Sequence, residues 1–398
     1  MSDVRPFPAL RPRAGLAPRI AAVPYDVVNT EEARALATDA LSFLHVSRAE
    51  IDLAKSVDPY SDLVYAEAVK ALDELRASSL EVENRPAVYL YRLTMGSHVQ
   101  TGVAAAFSVD EYRRGLVKKH EKTRPDKEND RTRHIIETRA QSGPVLLTYR
   151  ADAAVDAAVA QGLKAEPLYD FTAPDGIGHA IWRTEPAVGE AIVKAFGGVA
   201  ALYIADGHHR AASAARADER LQSEESKHFL GVAFPDTGMQ ILPYHRVVKD
   251  LAGRTPNAFL AEVAKVVPVR DGGPDVARKG ECAMYLAGAW RILTLDAGAA
   301  ITDPVASLDV QRLHDRVLAP LLGIGDERTD KRIEFVGGIR GPAELKRLVD
   351  RGKAAVAFAM FPVAVGDLVA IADAGGIMPP KSTWFEPKLR DGLLTHLI

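Results

Sequence analysis

Five consecutive residues, Asp206 to Arg210, carry more chemically active groups than a structural turn requires. In order they are an aspartate, a glycine, two histidines and an arginine, so one short stretch offers a carboxylate, a bare backbone, two imidazoles and a guanidinium. Histidine titrates near neutral pH and can move protons or bind metal, and a guanidinium can hold a phosphate or carboxylate through two parallel hydrogen bonds. The stretch, called here the 206–210 turn, therefore predicts a site for a phosphate-like anion.

The residues around the 206–210 turn predict a strand that feeds directly into a helix. Residues 201–205 form an apolar run of strand length, Asp-Gly is a turn pair, and the Ala-rich residues that follow favour helix. Such a junction brings free backbone N–H groups and the positive end of the helix to one point, which favours an anion. The alternative is that Asp206 only caps the helix and that both histidines are solvated residues of its first turn.

A second charged block spans residues 118–134, where basic and acidic side chains are interleaved. Pro125 divides this block into a loop and the start of a helix predicted for Lys127–Gln141, with Asp126 as its cap. The candidate residues are His120, Glu121 and Arg124 in the loop and Lys127, Asp130 and Arg131 on one face of the helix. This arrangement suits a polyanionic ligand, whereas a solvated surface is the ordinary explanation for such a run of charges.

Two strand positions add candidate residues. Tyr25 and Asp26 follow a short strand predicted for Arg19–Pro24, at the kind of strand end where open α/β folds place site residues. His245 lies beside Arg246 on another predicted strand. A histidine on a strand usually belongs to the core or the rim of a sheet, but a cationic pair there could line the same cleft.

The C-terminal tail does not resemble a fraying terminus. Residues 378–388 combine three prolines, two aromatic residues and two lysines with adjacent hydroxyls. Prolines stiffen the path of the chain, and Lys381, Ser382 and Thr383 could donate hydrogen bonds to phosphate oxygens. A rigid packed loop with exposed lysines explains the same residues equally well.

These blocks resemble two known groups of proteins. The strand followed by Gly207, Arg210 and Ser213 in the spacing Gly-x-x-Arg-x-x-Ser is similar to the phosphate-binding turn of the ParB/sulfiredoxin superfold. From near residue 20 to its end the chain resembles the bacterial and archaeal family of proteins of unknown function called DUF1015. The blocks that carry the family resemblance are 23–28, 120–123 with Lys127, Asp130 and Arg131, 206–210, 242–246 and 378–383.

The superfold resemblance implies a small-molecule phosphotransfer enzyme, because the superfold includes a nucleotide-dependent free serine kinase with a similar Asp-Gly-His turn. Members of the DUF1015 family are commonly encoded beside genes of the phosphorylated serine pathway, so the resemblance implies serine or phosphoserine as the substrate. A free serine kinase and a phosphoserine phosphatase need the same set of ligands, and both stay open. The cofactors that the resemblance implies are Mg²⁺ and a nucleotide, ADP or ATP, and the metal ligands stay unassigned.

The resemblance also implies roles for individual residues. The implied catalytic residues are Asp206, His208, His209 and Glu121, and the implied phosphate- or substrate-binding residues are Gly207, Arg210, His120, Arg124, Lys127, Arg131, Lys381, Ser382, Thr383, Tyr25, Asp26 and His245. One of the two histidines would move a proton or accept the phosphoryl group. Glu121 or Asp206 would act as a base or hold Mg²⁺.

Two other activities occur in the same superfold. A nucleotide-switched, ParB-like DNA-binding or regulatory protein is the alternative function, although no helix-turn-helix is evident and a net charge of −3 attracts no nucleic acid. A sulfinate reductase such as sulfiredoxin needs a cysteine directly after the glycine, where this chain has His208. We therefore exclude sulfinate reduction and expect a small phosphorylated substrate as the partner, with no membrane partner and no nucleic acid.

The composition is that of an ordinary globular protein, with 47% hydrophobic and 26% charged residues among 398. The one cysteine, Cys282, cannot form an internal disulfide, and the Walker A, Rossmann and zinc-finger patterns are absent. No apolar run reaches the roughly 18 residues of a membrane span, and the first residues carry no apolar export segment. We expect a cytoplasmic protein.

The order of predicted strands and helices indicates an α+β, or mixed α/β, fold. We expect a ParB/sulfiredoxin-like core in residues 1–255, with a large insertion because about 180 residues separate Asp26 from Asp206. A smaller α+β domain in residues 256–398 would follow, with a tail that returns to the site. A helix over residues 61–77 should bury a face that includes Leu63, Leu72 and Leu75. The oligomeric state stays open.

Overall fold

In the computed structural model, which describes residues 2–296, 298 and 301–398, apolar runs pair into a large mixed sheet. Its strands, numbered in chain order, are β1 Val4–Arg5, β2 Tyr89–Met95, β3 His98–Ser108, β4 Val117–Lys118, β5 Val145–Tyr149, β6 Tyr169–Thr172, β7 Gly178–Arg183, β8 Leu202–Asp206 and β9 His228–Pro235. Their order across the sheet is β4-β8-β5-β9-β3-β2-β7-β6, with β1 paired to β3. The strand that leads into the 206–210 turn, β8, lies between the edge strand β4, to which it is parallel, and β5, to which it is antiparallel.

The helices of this part of the molecule bury their apolar faces in two ways: the first four of them form smaller clusters of their own, and those from Val109–Arg113 onward join the core of the sheet. They are Ala17–Ile20, Thr30–Leu36, Leu44–Ser47, Asp62–Ser78, Val109–Arg113, Pro125–Thr138, Ala153–Gly162, Pro186–Phe196 and His208–Leu221, with short 3₁₀ turns at Ala49–Asp52 and Asp236–Gly238. Buried alanines of His208–Leu221 join the core that contains β5, β8 and β9. This helix also packs against Pro125–Thr138, and Ser213 Oγ donates to the Glu128 carbonyl at 3.2 Å. The two charged blocks of the sequence therefore lie on neighbouring helices.

Two short strand pairs complete this part of the molecule. Leu10–Pro12 pairs with Leu80–Val82, and Ala140–Gln141 pairs with His396–Leu397 near the end of the chain. The second pair fixes the C-terminal residues beside the strand connection that precedes β5. The last residues of the chain are therefore integral to the fold that carries the 206–210 turn.

A second sheet forms from strands later in the chain, which pair antiparallel throughout. Its strands are β10 Tyr244–Val248, β11 Val269–Asp271, β12 Glu281–Leu286, β13 Ala289–Thr294, β14 Ile333–Gly337 and β15 Val356–Met360, in the order β11-β13-β12-β15-β10-β14. Its helical segments are Pro256–Val266, Asp309–Leu313, a π-helical turn His314–Leu318, Ala319–Leu322, a 3₁₀ turn Gly338–Arg340, Gly341–Asp350 and Val365–Asp373. The short strands Ile241–Leu242 and Trp384–Phe385 also pair with each other.

The chain divides into two units. Among the described residues, the first unit contains those up to Met239 together with Pro387–Ile398, and the second contains Gln240–Glu386. This division precedes the boundary expected at residue 255, because β10 pairs with β14 and β15 of the second sheet. It also gives the last residues to the first unit. In the described ranges, each helix is too short or too polar to cross a bilayer.

The sheets and helices confirm the mixed α/β class expected from the sequence. The predicted helix over residues 61–77 is confirmed as Asp62–Ser78, but its predicted face is wrong in part, since Leu63 is 62% exposed whereas Val64 and Tyr65 are buried. The strand predicted for Arg19–Pro24 is also wrong. Its first residues belong to the helix Ala17–Ile20, which Pro18 helps to start because proline suits the first turn of a helix.

Candidate functional site

The 206–210 turn has the backbone geometry that an anion site needs. Asp206 ends β8, and Gly207 adopts φ +92°, a left-handed conformation that favours glycine. A Cβ on Gly207 would lie 2.9 Å from Arg210 Cζ, so the bare backbone also makes room for the guanidinium. The helix His208–Leu221 then begins without any side chain capping its N-terminus. Its first N–H groups therefore carry the partial positive charge that attracts anions.

Asp206 is held between two cations. Its Oδ2 atom accepts from Arg210 Nη2 at 3.1 Å and from Lys388 Nζ at 3.4 Å. Burial alone would raise the pKa of Asp206, but Lys388 and Arg210 outweigh it and lower that pKa far below its ordinary value. Asp206 is therefore an ionised carboxylate that fixes both cations at the start of the helix, and it is a weak base.

Arg210 is largely buried and uses its guanidinium to hold the turn together. Its Nη1 donates to the Pro144 carbonyl, and Nη2 lies 3.1 Å from Asp206 and 3.9 Å from Asp26. Burial by itself would lower the pKa of Arg210, but the two aspartates raise it, so the guanidinium stays charged. Its Nε atom is buried and has no hydrogen-bond partner among the described residues. The predicted phosphate grip of Arg210 is thus shared with a structural role.

His208 is a buried, neutral imidazole. Its Nε2 accepts the backbone N–H of His120 at 3.4 Å, so its proton resides on Nδ1, which lies 3.7 Å from Glu121 Oε2. The His120 ring meets it edge to face at 4.5 Å. Burial, reinforced for His208 by the other ring, lowers the pKa of both histidines, that of His120 to about 4. The structure therefore brings the charged block 118–134 to the 206–210 turn through a pair of uncharged rings.

His209 is half-buried and contacts the same block from its other side. Its Nε2 accepts the backbone N–H of Arg124 at 3.0 Å, which leaves Nδ1 for proton transfer. Burial lowers the pKa of His209, partly offset by Asp26. The Arg124 side chain is exposed and pairs with Asp126 at 2.7 Å, so only its backbone reaches the turn. The predicted residues His209 and Arg124 therefore meet, but Arg124 contributes its backbone N–H and not its guanidinium.

A small cavity lies beneath Arg210. It measures about 40 Å³, and its lining includes Tyr25, Arg131, Gly143, Arg210 and Asp391. Arg131 lies 4.4 Å from the Tyr25 ring centroid, so the structure brings both predicted residues to the cavity that Arg210 also lines. Asp391 is 2% exposed, and its Oδ1 has no hydrogen-bond partner among the described residues.

Lys127 does not join this group. Its Nζ accompanies Tyr60, donating to the Tyr60 hydroxyl at 3.2 Å and lying 5.7 Å from the ring centroid. Lys127 lies in the first turn of Pro125–Thr138, whose side chains diverge around the helix. The Lys127 ammonium contacts Tyr60 and none of the residues around Arg210 described above. Its predicted role in binding stays a prediction.

Four predicted residues belong to the second unit. His245 is buried on β10, where its Nδ1 accepts the Met360 N–H at 3.1 Å, and burial lowers its pKa to about 4. Ser382 is buried and its Oγ donates to the Pro379 carbonyl at 2.7 Å. The Lys381 ammonium lies 5.7 Å from the Tyr244 ring centroid, and Thr383 is half-buried beside it in sequence. The contacts of His245 and Ser382 are those of packed structural residues.

Sequence reasoning missed two residues of the tail. Lys388 contacts Asp206, and Asp391 lines the same cavity as Arg210. The sequence had instead indicated Lys381 as the lysine of the tail that binds phosphate. The signal that could have found them is the charged stretch Lys388-Leu389-Arg390-Asp391, which follows the prolines and contains two cations and a carboxylate. Neither spacing nor composition distinguishes these residues from an ordinary solvated surface.

The Mg²⁺ implied by the resemblance can be compared with the donors present. Within residues 2–296, 298 and 301–398, no three His, Cys, Asp or Glu side chains are grouped to hold a metal ion. Mg²⁺ often binds one or two carboxylates together with the phosphates of a substrate. Asp26 and Asp206 both lie within 4 Å of one atom, Arg210 Nη2. Both carboxylates are therefore already paired with the Arg210 guanidinium, and the metal ligands stay unassigned.

Several solved structures are similar to this chain. A comparison with curated proteins found no match. Among solved structures, a conserved hypothetical protein from Pyrococcus furiosus is 16% identical, with a TM-score of 0.35 over 74% of this chain and 94% of that one. SbnI with a C-terminal truncation, from Staphylococcus aureus, is 14% identical, with a TM-score of 0.39 over 72% and 85%. A free serine kinase variant in complex with AMP is 13% identical, with a TM-score of 0.37 over 73% and 92%.

The family comparison agrees with the sequence blocks described above. The family described as "Protein of unknown function (DUF1015)" matches residues 4–311, which is more than half of the chain. The match includes the 206–210 turn and the block around His120. The chain belongs to the DUF1015 family.

Proposed function

We propose that this protein is a small-molecule phosphotransfer enzyme of serine metabolism, either a free serine kinase or a phosphoserine phosphatase. The observation that carries the proposal is the uncapped N-terminus of helix His208–Leu221, placed directly after left-handed Gly207 and between cations and carboxylates. A phosphoryl group carries two or more negative oxygens, and backbone N–H groups at a helix N-terminus bind such oxygens. Lys388 and Arg210 supply positive charge at the same point.

The carboxylates divide into two roles. Asp206 keeps its charge through its two cations and serves to position them, because a carboxylate with a strongly lowered pKa is a poor base. The Glu121 side chain is 49% exposed and lies 3.7 Å from His208 Nδ1, so it can meet a substrate and a buried proton donor at once. Glu121 is therefore the base that we assign, in preference to Asp206.

In the kinase direction the proton of the serine hydroxyl passes to Glu121 while the hydroxyl oxygen bonds to phosphorus. The bond between that phosphorus and the bridging oxygen of the nucleotide breaks, and the shortened nucleotide leaves with the electron pair. In the phosphatase direction water takes the place of the serine hydroxyl, and the serine oxygen leaves and takes up a proton. That proton is the one that Glu121 has taken from water, and we assign His209 Nδ1–H, half-buried at the turn, as a hydrogen-bond donor to the leaving oxygen.

Two assays test the proposal directly. Phosphate release from phosphoserine measures the phosphatase, and nucleotide turnover with serine plus ATP or ADP measures the kinase. Glu121→Gln should reduce whichever activity is found by about 10²- to 10⁴-fold, the usual contribution of an acid–base group. Glu137→Gln is the matched control, because Glu137 is an exposed glutamate on the neighbouring helix Pro125–Thr138.

The control should retain wild-type turnover. Silence of the wild-type protein in both assays, together with salt-sensitive binding to duplex DNA in a gel shift, would contradict the proposal. That result would favour the DNA-binding alternative, since binding to DNA phosphates weakens steeply with salt. Equal losses in the two glutamate variants would instead remove Glu121 from the mechanism.

A further inference from the structure

The last twelve residues of the chain, Pro387–Ile398, belong to the first unit and are tied to it at several places. Arg390 Nε lies 3.2 Å from His179 Nε2 inside the fold, and its guanidinium also pairs with Asp175. The backbones of Asp391 and Ala22 exchange two hydrogen bonds, at 2.9 and 3.1 Å. Thr395 and Leu10 also exchange two backbone hydrogen bonds, so the segment is fixed on both sides of Asp391 and its side chains have defined positions.

Lys388 is the first functional side chain of this segment. Its Nζ lies 3.4 Å from Asp206 Oδ2, and its side chain is only 15% exposed. The other cation at that carboxylate, Arg210, already donates to the Pro144 carbonyl and to Asp206. A lysine ammonium is a compact charge with three rotatable donors, so it can contact an incoming phosphoryl oxygen while it stays beside Asp206.

Asp391 is the second functional side chain. It lines the cavity beneath Arg210, where a Cβ added to Gly143 would lie 3.1 Å from Asp391 Oδ1 and 3.2 Å from Arg210 Cδ. Both side chains line this cavity, and their atoms Asp391 Oδ1 and Arg210 Nε are buried without a hydrogen-bond partner among the described residues. A buried donor and a buried acceptor that both lack partners are costly, and one water molecule can satisfy them. A cavity of about 40 Å³ is large enough for that water.

We propose that Pro387–Ile398 completes the phosphoryl-binding site, with Lys388 as a binding residue for phosphoryl oxygens and Asp391, which lines the same cavity as Arg210, as a positioning residue that acts through the Arg210 guanidinium. The inference rests on the proposed function in one respect, namely that the ligand carries a phosphoryl group. It adds two residues to the site and assigns them different roles. Lys388 acts on the ligand, whereas Asp391 acts through Arg210.

The role of Asp391 has a pH signature. The charged groups that face it are Arg210, Asp26, Arg131 and Arg390. Burial raises the pKa of Asp391 to about 7, with the three arginines opposing that effect. Below that pH the carboxyl is neutral and Arg210 presents its full charge to the turn. Above it the carboxylate cancels part of that charge, so affinity for a phosphoryl ligand should fall relative to a variant that cannot ionise.

The test for Lys388 is calorimetric binding of phosphoserine and of ADP to the full chain. Lys388→Met should weaken the binding of the probe that the wild type takes by about tenfold or more, as loss of a charge-assisted contact does. Lys388→Arg should keep binding within about threefold. Lys194→Met, at an exposed lysine of the same unit, is the control and should change nothing. If Lys388→Met does not fold, Lys388→Gln, which can still donate to Asp206, should show the same loss.

The test for Asp391 compares Asp391→Asn with the wild type at pH 6 and pH 8. The two proteins should bind equally at pH 6, and the variant should bind severalfold more tightly at pH 8. A ratio that is the same at both pH values would overturn the positioning role. Wild-type binding that survives Lys388→Met unchanged would overturn the binding role alone, whereas a wild type that binds neither probe would overturn this inference and the proposed function together.

Discussion

Replacing Arg210 with alanine should destabilise the first unit, because its guanidinium is part of the fold. The variant loses the hydrogen bond to the Pro144 carbonyl and the 3.1 Å ion pair with Asp206. Breaking a buried ion pair by removing one partner costs about 3–5 kcal/mol. Lys388 stays 3.4 Å from Asp206 and compensates part of the loss, so we expect a decrease of about 3 kcal/mol in the free energy of unfolding.

Urea unfolding monitored by tryptophan fluorescence measures this loss. Of the 3 tryptophans, Trp182 belongs to the first unit and Trp290 and Trp384 to the second, so changing the latter two to phenylalanine makes the signal specific. Arg220→Ala is the matched control, since Arg220 is exposed in the last turn of the same helix. The control should change the unfolding free energy by about 0.5 kcal/mol or less.

A value for Arg210→Ala that equals the control would refute this account of the turn. It would show that the guanidinium is not engaged by Asp206 and Pro144 in solution. A large loss of stability with unchanged ligand binding would refute a different point, because it would leave Arg210 as a structural residue only. The two readouts therefore separate the structural role from the predicted phosphate grip.

Three other perturbations give distinct outcomes. Gly207→Ala should cost about 1–2 kcal/mol of unfolding free energy, because φ is +92° there and the new Cβ would crowd Arg210. An unfolding free energy in urea equal to that of the wild type would contradict the left-handed turn. His209→Ala should bind phosphoserine within about threefold of wild type but lose about 100-fold in turnover, and equal turnover would remove it from catalysis. Acid should destabilise the protein, because burial lowers the pKa of His120 to about 4 from the ordinary 6.5 of the unfolded chain. The stability that the neutral ring contributes is therefore complete above pH 6.5 and is lost as the pH falls through 4. A flat melting temperature over that range, or no flattening in His120→Asn, would contradict the neutral ring.

Local sequence patterns were enough to predict the elements that carry the candidate site. The apolar run, the Asp-Gly pair and the alanines specify a strand, a turn and a helix within some twenty residues, and β8 and His208–Leu221 form as predicted. The helix Pro125–Thr138 was also expected, although its start moved to Pro125 and its end to Thr138. Such elements depend on neighbours in sequence, which is why spacing and turn residues reveal them.

Long-range partners could not be predicted in the same way. Lys388 and Asp206 meet although 182 positions separate them, and no periodicity links residues that far apart. Leu63 shows a related limit, since the helix pattern fits two overlapping faces and only the packing of Val64 and Tyr65 selects between them. His245 illustrates a related limit, because its pairing with Arg246 suggested a site, whereas on β10 its ring accepts the Met360 N–H of its own sheet.

Whether the first amides of helix His208–Leu221 hold a phosphoryl group is tested most directly by their ¹H–¹⁵N NMR signals. In protein labelled with ¹⁵N-glycine and ¹⁵N-histidine, Gly207 is assigned by its absence in Gly207→Ala, and Gly253 of the second unit serves as an internal reference. Titration with phosphoserine and with ADP should move the Gly207 and His208 amide protons downfield in a saturable way and leave Gly253 unmoved. Saturable binding by calorimetry with unmoved turn signals would place the ligand elsewhere and contradict the assignment of the 206–210 turn as the phosphoryl site.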